Sequence, residues 1–165
     1  MKTLKIFLIL FLLLLFRGFS QSQGQKKIDS LLVLYEQTQA IDNKADLLTN
    51  IFNIQLYTEP SRAKEIIEKL LTISKKENYV KGVVMANYSK GRYHFIVQEY
   101  DSAMHYYKKT AILSRENNFS ENLVDALSGL AAVKGDMGDY YGAIQLNDSL
   151  LPLYKAANNF LSYVE

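Results

Sequence analysis

The sequence predicts an all-α fold, an α-solenoid of stacked antiparallel helix pairs. Three observations carry that prediction. Apolar residues recur at helical spacing along most of the 165 residues, and no strict apolar/polar alternation runs long enough for a strand. There are only two prolines. Above all, the chain repeats itself: Ala63, Ala103 and Ala143 are spaced by 40 residues. A fixed period in this range, with two helices per period, marks an α-solenoid.

Residues 1–20 differ from the rest. They hold Lys2, Lys5 and Arg17 and no acid. The whole chain has 19 Lys+Arg, 17 Asp+Glu and a net charge of +2; without the leader the charge is −1. The basic balance therefore gives no reason to expect nucleic acid as a partner. Met1 to Lys5 form a short positive region, Ile6 to Phe16 an unbroken apolar run, and Gly18 and Ser20 precede a cut before Gln21. This is the pattern of a secretory signal peptide over 1–20. A spanning helix needs about 20 apolar residues, and this run is shorter. The body is expected to be exported, to a periplasmic or extracellular site. The alternative is an inner-membrane anchor made by residues 6–16, and the membrane is then met only through the uncleaved leader. The Lys/Asn/Tyr-rich body suits a bacterial envelope protein. With no cysteine, thiol catalysis, Cys-based metal sites and a lipoprotein Cys anchor are excluded.

Residues 21–42 read as a polar linker followed by an N-terminal capping helix. Seven helical segments are expected, at about 27–39, 43–57, 60–77, 80–97, 101–117, 121–136 and 139–158. Pro60 sits at a helix start, where its missing N–H costs nothing. Asp101 and Asp139 are placed to accept orphan N–H groups, and Lys75, Lys76 and Arg115 fall in last turns. Pro152 falls inside the last segment and predicts a kink or a late start.

The segments group into units at 43–78, 79–118 and 119–158, with 159–165 opening a further, truncated repeat. Tyr100 and Tyr140 each precede their alanine by three, and Tyr79, Phe119 and Phe160 each follow an asparagine. Tyr100, Ala103, Met104, Tyr107 and Ala111 make one helical stripe. Gly91 lies on the facing stripe, and a glycine inside a helix costs about 1 kcal/mol. It is read as a close approach of two helix backbones, with Ala63, Ala103 and Ala143 as small partners. The chain ends without a polar cap, so self-association through that uncapped end is expected.

Leu130-Ala131 followed by Gly138-Asp139-Tyr140-Tyr141-Gly142-Ala143, and Lys90-Gly91 followed by Tyr100, Ala103 and Tyr107, resemble the tetratricopeptide repeat family. The resemblance covers residues 43–158, in a variety longer than the family's usual period of about 34. Ile51 and Pro60 replace the small and aromatic residues in the first unit, and Lys134 replaces an aromatic in the third. The resemblance implies repeat-packing roles for Ala63, Gly91, Tyr100, Ala103, Tyr107, Ala131, Tyr140 and Ala143. It also implies a groove lined by the first helix of each pair, which takes a peptide or partner helix. Its contact positions carry over to Phe52 and Gln55, Tyr88 and Arg92, and Ser128 and Ala132. Arg92 is suited to a carboxylate and Tyr88 to an amphipathic contact.

Little else points to chemistry. Asp101 and His105 are one turn apart, without a third metal ligand. Gly135-Asp136-Met137-Gly138 lacks the ending of a phosphate loop and reads as a turn. No calcium-loop spacing and no G-x-S-x-G elbow occur. Catalytic, cofactor and metal residues are expected to be absent, and an enzyme is not expected. The leading expectation is an exported protein–protein interaction module or scaffold. The alternative is a truncated extracytoplasmic sensory domain of a signalling protein, a histidine kinase or a DNA-binding regulator.

Overall fold

The computed structural model describes residues 23–156. Seven helices follow one another there: α1 over 23–37, α2 Ile41–Thr58, α3 Pro60–Lys76, α4 Val80–Ile96, α5 Tyr100–Glu116, α6 Ser120–Asp136 and α7 Tyr140–Ala156. No described residue is in a strand. The leader at 1–20 and the truncated repeat at 159–165 lie outside the described residues. Helix α1 reaches back into the expected linker, and α2 begins two residues earlier than the spacing suggests. Helix α7 does not start late; it opens at Tyr140 and runs through Pro152. Proline removes the bond to the carbonyl of Asp148. Both residues are exposed, so water reaches the broken step.

Each helix from α2 to α7 packs on the next. Two further contacts set the curvature. α2 touches α4, and α4 touches α6, whereas α3, α5 and α7 do not touch one another among the described residues. The stack is therefore two layers, closer together on one side. Helices α2, α4 and α6 form the inner layer; α3, α5 and α7 form the outer one. Such a stack bends toward the layer whose members touch.

Helix α1 covers the N-terminal end. Tyr35 is buried in a cluster with Ala45, Leu48, Leu70 and Ala86. The ammonium groups of Lys44 and Lys69 lie 5.4 and 4.0 Å from the centre of its ring, within cation–π range. The core then runs along the stack. Phe52, Leu56, Ala63 and Ile67 form one cluster, closed by Tyr93 and Ile96 of α4. Ala103, Tyr107, Leu130 and Val133 join the second pair to the third.

Four of the turns share one backbone geometry. Asn78, Gln98, Asn118 and Gly138 have φ of 53°, 61°, 59° and 84°. After each, the next N–H bonds back to a carbonyl of the finished helix: Tyr79 to Ser74 at 2.8 Å, Glu99 to His94 at 2.8 Å, Phe119 to Ser114 at 2.9 Å and Asp139 to Lys134 at 2.8 Å. This is the Schellman motif, which satisfies orphan carbonyls through one left-handed residue. The recurring asparagine before Tyr79 and Phe119 is that residue. The N-termini of α2 to α6 carry no side-chain cap. Asp101 lies in the first turn of α5 without capping it, while Asp139 accepts the Gly142 N–H at 2.9 Å.

Candidate partner-binding groove

Within the inner layer Arg92 reaches from one helix to the next. A guanidinium Nη1 of Arg92, on α4, donates to Oδ1 of Asn53 on α2. Its carbon lies 5.5 Å from the centre of the Phe52 ring and 6.0 Å from that of Tyr88. Tyr88 in turn leans on Tyr107, with ring centroids 5.7 Å apart. Burial raises the Tyr107 hydroxyl well above its ordinary pKa, with the Arg92 charge opposing. On α6, loss of hydration pushes the Asp125 carboxyl up, Glu121 one turn away adds to this, and Arg92 opposes it. Asp125 is nevertheless exposed. Arg92 thus bonds α4 to α2, and Asp125 of α6 lies within reach of its charge.

The predicted contact residues fall into two groups. Tyr88 and Arg92 are half-buried at the centre of the inner face, Ser128 is half-buried one unit on, and Ala132 is exposed. Phe52 and Gln55 are not on that surface. Phe52 is 1% exposed and serves as the floor beneath Arg92, because α3 and α4 close over it. Gln55 is buried too, and its Oε1 has no partner. Asn53, Glu121 and Asp125 were not predicted. Asp125 stands three residues before Ser128 on the same stripe, a signal available in the spacing. Asn53 lies off that stripe and gave none.

The packing residues divide likewise. Ala63, Gly91, Ala103, Tyr107 and Ala131 are buried. Tyr100 is half-buried against Phe95, with centroids 6.1 Å apart. Tyr140, in contrast, is 70% exposed, and Ala143 is half-buried. Forty residues after Phe95 stands Gly135, so Tyr140 has no ring to lean on. The expected reason for Gly91 is also corrected. A Cβ there would lie 2.6 Å from Cδ1 of Tyr107, and one on Gly129 would lie 2.6 Å from its Cε1. The glycines make room for a ring, not for a second helix backbone.

His94 stacks on Tyr106 at 5.2 Å and contacts Glu99 through Nδ1 at 2.6 Å. His105 meets the edge of Tyr106. The Glu68 carboxylate of α3 pairs with Lys90 of α4 at 2.7 Å, so it ties two pairs together. Among the described residues no three His, Cys, Asp or Glu side chains converge as a metal site would require. No described helix is long and apolar enough to cross a membrane. The sequence matches no family model and no curated protein.

Proposed function

We propose that the chain is an exported protein–protein interaction module, a tetratricopeptide-like scaffold that holds a peptide or partner helix against α2, α4 and α6. One observation carries this reading: the Tyr88–Arg92 centre is half-buried on the inner layer and bonded from α4 to Asn53 of α2, rather than sealed into the core. Interaction sites concentrate where aromatic and arginine side chains stand in a concavity. The burial of Ala63, Gly91, Ala103 and Ala131 supports the family resemblance. The export reading rests on the residues of the leader alone.

The test is selection of displayed peptides on the purified chain, followed by the double substitution Tyr88→Ala with Arg92→Ala. The selected peptides should bind the native chain and lose about tenfold in affinity, about 1.4 kcal/mol, to a variant that remains folded by circular dichroism. Asp125→Lys, at an exposed position, should also change their affinity. Binding unaltered by both changes removes the groove assignment, and so does loss of binding that merely follows unfolding.

A further inference from the structure

The two edges of the stack use the same backbone turn with different cap residues. On the edge where second helices hand over to first helices, the cap residues are Glu77 and Asn117, both polar. The aromatics that follow, Tyr79 and Phe119, are tucked in and half-buried, and the one large apolar side chain exposed beside them among the described residues is Val80, at 43%. On the other edge the caps are Val97 and Met137, and they are 36% and 50% exposed. The residues that follow are charged: Glu99 contacts His94, and Asp139 binds Lys134. Turn geometry therefore does not require the exposed apolar side chains. Tyr57, 40 residues before Val97, is 67% exposed at the same edge, and Tyr141 is 73% exposed beside Met137. Each unit thus presents at least one exposed apolar side chain at this edge.

The charge beside this row is negative. Asp101 and Asp136 are exposed on the same edge and make no ion pair among the described residues. Arg62 is already paired with Glu59 at 2.9 Å. The spacing selects a shape as well. Neighbouring packed helices lie about 8–10 Å apart, which sets the pitch of the row. Two turns of an α-helix advance about 11 Å. A helix with an apolar side chain at every second turn meets Tyr57, Val97 and Met137 in succession.

We infer that the edge carrying Tyr57, Val97 and Met137 is a docking surface for a basic amphipathic helix of a partner protein. Its apolar stripe meets the row, and its lysines or arginines meet Asp101 and Asp136. This surface is separate from the groove and does not depend on it.

The experiment titrates the full chain with a helical peptide of leucine and lysine of about three heptads, leucine on one stripe. A peptide with glutamate in place of lysine runs in parallel. The variant is Val97→Glu with Met137→Asn, which installs the residue types that the opposite edge already uses at the same turn. The lysine peptide should bind the native chain, weaken as salt rises, and lose about tenfold in affinity to the variant. The melting midpoint should stay unchanged. Tyr88→Ala with Arg92→Ala should leave this binding intact, which separates the edge from the groove. The inference falls if the lysine peptide does not bind, if the glutamate peptide binds as well, or if the edge variant binds like the native chain. It also falls if vesicles of anionic phospholipid bind through the same residues while the peptide does not.

Discussion

Tyr107 explains two glycines at once. Its ring occupies the space where Gly91 and Gly129 would carry a Cβ, 2.6 Å from a ring carbon in each case. The ring is buried and leans on Tyr88, so it has little room to yield. Alanine at Gly91 gains about 1 kcal/mol of helix propensity. Against that, overpacking costs about 1–3 kcal/mol, and with contacts this short the upper half of that range applies. Gly91→Ala should therefore destabilise the chain by about 1–2 kcal/mol, although the same change stabilises most helices. The check is a double-mutant cycle in urea with Tyr107→Leu, which removes the obstructing ring. The double variant should be more stable than the sum of the singles by about 1 kcal/mol. Strict additivity would mean that the ring is not what the glycine accommodates.

At the scale of the element, the turns decide where the helices stop. Three of the four left-handed positions hold a residue suited to them, Asn78, Asn118 and Gly138; the fourth holds Gln98. A left-handed conformation costs an ordinary L-residue about 1–2 kcal/mol, and glycine avoids it while giving up about 0.5–1 kcal/mol of unfolded-state entropy. Gln98→Gly should raise stability by about 0.5–1 kcal/mol in urea denaturation, and Asn118→Ala should lower it. A destabilised Gln98→Gly would show that this side chain does more at the turn than occupy it. This element also shows what the sequence revealed. The asparagine–aromatic pairs were visible as a recurrence of 40, and that was enough to place the turns within a residue or two. Their conformational role was not visible, because Gln98 occupies the same backbone state without resembling them. Helical spacing correctly anticipated accessible positions on the inner layer at Tyr88, Arg92 and Ala132. It failed at Phe52 and Gln55, which lie on the equivalent stripe but in a unit that its neighbours cover more completely. Spacing fixes a side chain's direction; it does not say whether another helix stands there.

For the molecule as a whole, the same asymmetry becomes a gradient. A unit in a solenoid contacts only its neighbours, so its stability depends on how many it has. The first pair is covered by α1 through Tyr35 and by α4 through Tyr93 and Ile96. The second pair is covered on both sides, and its Tyr100 and Met104 pack around the cluster that Leu130 and Val133 of α6 complete. Their equivalents one unit later, Tyr140 and Ile144, are exposed. Pro152 interrupts the hydrogen bonding of α7. Amide hydrogen exchange should therefore rank the helices, with α4 and α5 exchanging slowest and α7 fastest, through openings that release the last pair before the rest unfolds. Gly129→Ala, which crowds Tyr107 from the α6 side, should accelerate exchange in α6 and α7 well before it affects α2 and α3. Equal protection from α2 to α7 would mean that the stack unfolds as one cooperative block. In that case Tyr107, wedged between the second and third pairs, couples the units more strongly than the exposed face of α7 weakens them.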